Sequence, residues 1–471
     1  MKYKPVIGLE IHAELLTNTK LFCSCANKFG SEKNTNCCPG CLGMPGTLPL
    51  LNQKAVELAI SAGLLCGCEI SRTTTWDRKN YFYPDLSKAY QISQLFAPIC
   101  VGGGLEVNGR FVRLNRIHLE EDAGKLIHER DVSILDDNRA GVPLIEIVTE
   151  PDICSADEAA AFVEQMRLIL LYGDICDGKM EQGSMRVDVN ISVMPENSDV
   201  LGTRAEIKNI NSFRFMKRAI EFETERQISL LESNGKVVQE TRRFDDSSGE
   251  TFSMRSKEDA LDYRYFPDPD ILPLGITDDD IARIKEKLPE TPHTRYLRYT
   301  NTHGLSAKDT ETILSQRFIA DFFDSAVELG ADPKAASNSI RGELLRCIRE
   351  SGLDEIPVSP FEFNKALAMA AKNDITQDGL KTALSYMFLE RKDLETAVKE
   401  NNLLISEDFD LIRTVVSEVI QASPDIVKKY KAGNSKVYSY LFGQCMKRLK
   451  GKALPATIEA ELKRGISDES L

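Results

Sequence analysis

Apolar and polar residues alternate with a period of two in Ile7-Gly8-Leu9-Glu10-Ile11-His12-Ala13-Glu14-Leu15. Successive side chains of a strand point to opposite faces, so this run predicts a strand with Ile7, Leu9, Ile11 and Ala13 towards a core and Glu10, His12 and Glu14 together on the other face. Arg186-Val187-Asp188-Val189-Asn190-Ile191-Ser192-Val193 repeats the pattern, with Arg186, Asp188, Asn190 and Ser192 opposite a β-branched face. Up to about Pro292, such short runs are broken by Gly, Pro, Asn and Asp, and helical periodicity appears over 53–65, 156–171 and 212–234. Beyond Thr294 the strand-like runs fade, and segments with apolar residues at helical spacing follow at 316–329, 339–350 and 361–371. A last set with the same spacing covers 410–421 and 456–463. The expected fold class is α+β: a first domain over 1–292, an all-helical domain over 293–405 and a small helical tail over 406–471. There is no repeat of fixed period and no low-complexity tract.

Composition changes this picture little. The chain has 471 residues, 42% hydrophobic and 28% charged, which is ordinary for a globular protein with several cores. No uninterrupted run of about 18 apolar residues occurs, and the N-terminus shows no basic, apolar and small-residue succession of an export signal. A non-membrane, cytoplasmic protein is expected. The formal net charge of −13 excludes indiscriminate nucleic-acid binding, because a uniformly acidic surface repels phosphate; any such contact must be a local basic patch.

The chemistry lies in a few constellations. Glu10, His12 and Glu14, spaced about 7 Å apart along one strand face, suit Mg²⁺ or Mn²⁺, although a solvated strand face has the same pattern. Acids also occur in His118-Leu119-Glu120-Glu121-Asp122 and Glu146-Ile147-Val148-Thr149-Glu150; several converging acids repel one another unless cations offset them. Cys23-Ser24-Cys25 and Cys37-Cys38-Pro39-Gly40-Cys41 place five of the twelve cysteines at spacings that let thiolates reach one tetrahedral zinc ion; the alternative is a set of reduced surface thiols. Cys66 and Cys68 read as core residues. Asn80-Tyr81-Phe82-Tyr83-Pro84-Asp85 groups aromatics that could stack on a nucleobase or pack a hairpin corner. In the tail, Lys428, Lys429, Lys431, Lys436, Lys447, Arg448, Lys450 and Lys452 occur with no acid between Asp425 and Glu459, interleaved with Tyr430, Tyr438, Tyr440 and Phe442. This fits a phosphate-binding patch or a solvated helix face.

Together these segments resemble the B-subunit family of the aspartyl/glutamyl-tRNA amidotransferases. The motifs are IGLEIHAEL (7–15), YFYPD (81–85), QISQ (91–94), HLEEDAGK (118–125), NRAGVPLIEIVTEPD (138–152), EQGSMRVDVNIS (181–192), EIKNINSF (206–213), ETRRFDD (240–246) and DYRYFPDP (262–269). The tail's YKAG (430–433) and KGKA (450–453) match the family's tRNA-binding module. The sequence departs from the family at Ser87-Lys88-Ala89, where Pro-Lys-Gly is common, and over 339–345, where an aromatic is often present.

The resemblance implies a cradle-shaped antiparallel-sheet domain related to glutamine synthetase, working in a heterotrimer with the family's A and C subunits. It implies that ATP phosphorylates the side-chain carboxylate of Glu-tRNA(Gln) or Asp-tRNA(Asn), and that ammonia released from glutamine by the A subunit displaces the phosphate. By motif position it places the catalytic and Mg²⁺-binding roles on Glu10, His12, Glu121, Glu150 and Asp188. Glu10 and Asp188 are expected near the ATP-associated ion, with His12, Glu121 and Glu150 at a second. It also places structural Zn²⁺ on Cys23, Cys25, Cys38 and Cys41, leaving Cys37 spare, and phosphate or substrate contacts on Lys79, Tyr81, Arg186 and Lys208. A zinc-stabilised tRNA-binding scaffold and a free-standing ligase for small acids are the competing readings.

Overall fold

The computed structural model describes residues 2–256, 263–405, 409–431, 437–449 and 453–467. It divides into two compact units, Met1–Pro292 and His293–Leu471. Helices and strands are both abundant, and the large sheet lies entirely in the first unit.

The 7–15 alternation forms the middle of β1, Tyr3–Glu14. Ile7, Ile11 and Ala13 are fully buried and Leu9 nearly so, while Glu10, His12 and Glu14 are only partly covered. This strand is central, not an edge. A ten-stranded sheet runs in the order Glu250–Ser256, Glu240–Asp245, Ala205–Ile210, Met185–Pro195, β1, Pro143–Thr149, Arg110–Glu121, Cys100–Val101 and Glu69–Ile70, with Gly104–Val107 paired to Arg110–Glu121 off this path. All these pairings are antiparallel except that between Ala205–Ile210 and Glu240–Asp245.

Three long helices share the apolar core with the sheet, α1 (Gln53–Leu65), α2 (Ala156–Tyr172) and α3 (Phe213–Glu232), and the short helix Asp278–Glu286 adds Ile284. Each long helix begins where a polar side chain accepts hydrogen bonds from first-turn amides: Asn52 for α1, Ser155 for α2 and Ser212 for α3. Phe162, Val163, Met166 and Leu170 of α2 are fully buried with Ile11, Val189 and Ile191 in this core. Truncating a side chain such as Phe162 to Ala would cost about 3–5 kcal/mol. A Cβ at Gly63 would collide with the Cys100 sulfur, so only glycine lets α1 sit so close to the sheet. Cys66 and Cys68 are buried in the same core. A buried polar network fixes α3 to the outer strands: Glu223 receives Arg226 and Gln227, pairs with Arg242 at 3.2 Å and accepts from Thr251 at 2.9 Å. With one face of the sheet committed to apolar packing, its opposite face is left for polar residues.

The second unit contains only helices among its described residues, apart from one isolated bridge between Ile375 and Leu404. The segment at 339–350 is locally widened: a π-helix at Ile340–Leu344 separates Pro333–Ser339 from Leu345–Ser351. Residues 412–466 contribute a separate apolar cluster, including Ile412, Val416, Leu441, Leu449, Ile458 and Leu462. No described helix is long and apolar enough to cross a membrane.

Candidate active site

The register of the central strands builds the site. His12 stands opposite Arg186 on one side and Glu146 on the other, and Glu146 stands opposite His118, giving a continuous cross-strand row. Directly opposite residues lie within about 4.5–5.5 Å, close enough for their side chains to meet. His12 Nε2 lies 3.6 Å from Glu120 Oε1 and 3.6 Å from Glu146 Oε2, and His118 Nε2 lies 3.3 Å from Glu146 Oε2. One pleat along, Glu10 stands opposite Asp188. Asn190 donates to Glu10 Oε1 at 2.8 Å, and Lys208 reaches both Asp188 and Glu206 at 2.8 Å. Thr241 holds the other Glu206 oxygen at 2.9 Å. Both groups open into one cavity of about 410 Å³, also lined by Lys79, Arg116, Arg204, Tyr263 and Tyr265.

The electrostatics follow from this crowding. Burial would lower the His12 pKa, but the hydrogen bond and charge of Glu146, together with Glu120 and Asp188, overcome it and raise it from 6.5 to about 9. Burial opposes ionisation of Glu146, yet His118 and His12 hold its carboxyl well below the usual range. Burial, with Glu146 and Glu206 nearby, raises Glu10. Burial also works against charge on Lys79 and Lys208; Glu120 for the first, and Asp188 and Glu206 for the second, raise both above their ordinary value.

Ligand atoms of His12, Glu120 and Glu146 lie within 4.8 Å of one another, as do those of Glu10, Asp188 and Glu206. The Glu120 Oε2 atom is buried without a hydrogen-bond partner. Carboxylate oxygens with one imidazole suit a hard divalent cation, and a buried carboxylate oxygen lacking a donor is the kind of group that such a cation satisfies.

The expected grouping of Glu121 and Glu150 with His12 does not form. Neighbouring strand residues face opposite ways, so the pleat that turns Glu120 into the cavity turns Glu121 out of it. There Glu121 pairs with Lys88, accepts from the Ile92 amide at 2.9 Å and lines a different cavity beside Cys41. Glu150 lies beyond a register shift at Val148/Thr149, where its carboxylate accepts from Asn115 at 2.8 Å. Glu120, Glu146 and Glu206 occupy the positions that motif placement alone missed. Stepping by twos from His118 would have picked out Glu120.

Of the expected phosphate contacts, Lys79 and Lys208 line the cavity; Arg186 instead binds Asp122 at 2.7 Å. Tyr81 packs edge-on against Tyr263 at 5.8 Å, behind Lys79, whose Nζ lies 4.9 Å from the Tyr263 ring centre. Phe82 and Tyr83 are exposed.

The sulfurs of Cys23, Cys25, Cys38 and Cys41 lie within 4.8 Å of one another, and Cys37 is outside the group. A hydrogen bond from Cys23, the Cys38 amide and Lys20 hold the Cys41 thiol down at about 4 despite burial, while burial pushes Cys25 up to about 11. Four converging thiols suit tetrahedral zinc.

In the tail, Lys428, Lys429 and Lys431 lie on the helix Pro424–Lys431, and Lys447 and Arg448 on Tyr438–Leu449, where Arg448 pairs with Glu418 at 3.1 Å. Lys436, Lys450 and Lys452 lie outside the described residues. Tyr430, Tyr438 and Phe442 pack against the tail's apolar cluster, so among the interleaved aromatics Tyr440 is the exposed one.

Residues 5–282 match the model of the GatB/GatE catalytic domain and residues 321–466 that of the GatB domain. The chain is 47% identical over 471 residues to the B subunit of the aspartyl/glutamyl-tRNA(Asn/Gln) amidotransferase of Ruminiclostridium cellulolyticum, covering 98% of this chain and 97% of that one. It is 48% identical over 474 residues to the same subunit of Thermoanaerobacter pseudethanolicus (99% and 100% covered) and 48% identical over 470 residues to that of Geobacter sulfurreducens (97% and 98%). The chain therefore belongs to the B-subunit family of the tRNA-dependent aspartyl/glutamyl amidotransferases, ligases of protein synthesis.

Proposed function

We propose that the cavity on the polar face of the sheet is where the side-chain carboxylate of Glu-tRNA(Gln) or Asp-tRNA(Asn) is phosphorylated by ATP and then amidated. The observation that carries this reading is the pairing, in one cavity, of two acidic groups, His12–Glu120–Glu146 and Glu10–Asp188–Glu206, with Lys79, Arg116, Lys208 and Arg204. A carboxylate resists ammonia because it would have to expel oxide; an acyl phosphate expels phosphate instead. Divalent cations held by these acids, Mg²⁺ or Mn²⁺, would neutralise charge on the transferred phosphoryl group.

The chain's own residues supply the rest. Lys208 ties Asp188 to Glu206, and Asn190 orients Glu10, so these carboxylates stay aimed into the cavity before substrate arrives. Lys79, fixed among Tyr81, Tyr263 and Tyr265, presents a cation to phosphate oxygens, and exposed Arg204 does the same from another side. The family's A subunit supplies ammonia from glutamine, and its C subunit completes the heterotrimer. The tail lysines grip the tRNA backbone, and zinc on the four cysteines serves structure. The sheet and its polar face form a cradle related to that of glutamine synthetase, and the complex works in the cytoplasm.

The test is amide formation on Glu-tRNA(Gln) and Asp-tRNA(Asn) with ATP, Mg²⁺ and ammonium ion, comparing this chain alone with the chain reconstituted with the A and C subunits. ATP-dependent amide that disappears in Asp188→Asn, while glutamine hydrolysis by the reconstituted complex persists, supports the reading. Normal amide formation by Asp188→Asn overturns it.

A further inference from the structure

Lys20 is among the largest fully buried side chains of the chain, with no exposed surface. An ammonium ion removed from water is costly unless an anion or several acceptors receive it. No carboxylate ion pair to Lys20 exists among the described residues. Its Nζ instead donates to the Asp137 carbonyl at 3.1 Å and to the Cys41 sulfur at 3.7 Å. Leu21, the next residue, donates its amide to the Gly141 carbonyl at 2.9 Å, and Gly141 sits at φ +83° where a Cβ would lie 3.6 Å from Lys20 Cδ and 3.7 Å from Cys41 Cβ. The backbone thus closes directly over the contact between the lysine and the cysteine.

The same place fastens the cysteine loop to the segment 135–138. Asn34 donates to the Leu135 carbonyl at 2.9 Å, the Asn36 amide to Asn138 at 2.8 Å, and the Asp137 amide to Asn34 at 2.7 Å. The turn whose Asp137 carbonyl accepts from Lys20 is therefore the turn to which the loop carrying Cys37, Cys38 and Cys41 is tied. A divalent ion in four thiolates carries a net charge of −2, and a nearby cation that donates to one sulfur lowers the cost of holding that charge under cover.

We propose that Lys20 is the charge-compensating residue of the four-cysteine site, stabilising bound metal through Cys41 and joining the site to the 135–138 turn. This rests on the zinc reading of Cys23, Cys25, Cys38 and Cys41. Groups that support metal ligands in this way typically contribute 10–100-fold in affinity. Lys20→Met, which keeps length and shape without charge, should therefore weaken zinc binding by about that factor, and Lys20→Arg should recover most of it.

The experiment uses the purified full chain, with zinc affinity read by competition with a chromophoric chelator and the sulfur-to-cobalt charge-transfer band read after cobalt(II) substitution. A weaker zinc affinity and a shifted band in Lys20→Met, with recovery in Lys20→Arg, support the proposal. Equal affinity and an unshifted band in wild type and Lys20→Met overturn the role of Lys20 while leaving the metal site standing. A wild-type chain that binds neither zinc nor cobalt overturns the metal site, and the proposal with it. If Lys20→Met does not fold, Lys20→Gln, which retains a donor without charge, is measured instead: wild-type affinity in that variant overturns the proposal and a comparable loss supports it.

Discussion

Replacing Glu146 by Gln is the sharpest perturbation of the site, because Glu146 stands between His12 and His118 and is the largest influence raising the His12 pKa. The rise from 6.5 to about 9 corresponds to about 3 kcal/mol between the two protonation states, at about 1.36 kcal/mol per pH unit. For a cation whose folded-state pKa is raised, that stabilisation is fully present below about pH 6.5 and is lost as pH rises through about 9. In Glu146→Gln the opposing effect of burial remains and the charge of Glu146 is gone, leaving Glu120 and Asp188 as the acids that favour the imidazolium. The His12 midpoint should then fall by more than about one pH unit.

The assay is a ring-proton titration of the chelator-treated full chain by NMR, feasible because the sequence holds only five histidines, alongside denaturant unfolding between pH 6 and about 9.5. Wild type should lose up to about 3 kcal/mol across that window and Glu146→Gln much less. An imidazole must lose its proton to bind a metal ion, so divalent-cation uptake by wild type at neutral pH should release a proton that the variant mostly does not. A His12 midpoint still near 9 in Glu146→Gln would refute the claim that this cross-strand contact sets the charge of the site.

Glu120→Gln should lower ATP- and ammonium-dependent amide formation by at least about 100-fold, whereas Glu150→Gln should stay within a few-fold of wild type; the reverse ranking would reject the ligand set built from the strand register. Ala89 holds φ +62°, a left-handed conformation costing a non-glycine residue roughly 1–2 kcal/mol, so Ala89→Gly should raise stability to denaturant by up to about 1 kcal/mol after glycine's own entropic cost. Reversing charge at Lys428, Lys429 and Lys447 should weaken tRNA binding and flatten its dependence on salt, by about 0.7–0.9 in the log–log slope for each phosphate no longer neutralised. An unchanged slope would remove the tail helices from the tRNA interface.

Strand and helix were legible wherever a single face had to be buried. The alternation at 7–15 and at 186–193 specifies which side chains enter the core without any knowledge of partners, and the structure pairs these two segments directly, Glu10 against Asp188. Helical periodicity over 53–65 and 156–171 was equally local, and so were the polar residues Asn52 and Ser155 that start those helices. Strand order was not legible: nothing in 7–15 says that it lies between Pro143–Thr149 and Met185–Pro195, because that neighbourhood depends on segments more than a hundred residues away. The helical pattern at 339–350 likewise hid a π-turn at Ile340–Leu344, since one extra residue in a turn leaves the apolar spacing nearly unchanged.

The acids show how one step of the pleat decides chemistry. Glu120 and Glu121 are adjacent, equally buried and chemically identical, yet one meets His12 at 3.6 Å and the other meets Lys88 beside the cysteine loop. Composition cannot separate them, but parity can: His118 and Glu120 must share a face, and whichever face holds His118 is fixed by Glu146 across the strand pair. Glu206 and Lys208 share a face by the same rule, which explains how the lysine of the EIKNINSF motif comes to sit among carboxylates at 2.8 Å. Lys20 marks the limit of that reasoning. A lone lysine after a strand reads as surface, and only the convergence of the Asp137 carbonyl, the Cys41 sulfur and the Gly141 backbone, drawn from three distant segments, makes it a buried cation. Residues whose role is set by the pleat can thus be recovered from sequence by counting, whereas residues whose role is set by loop closure require the fold.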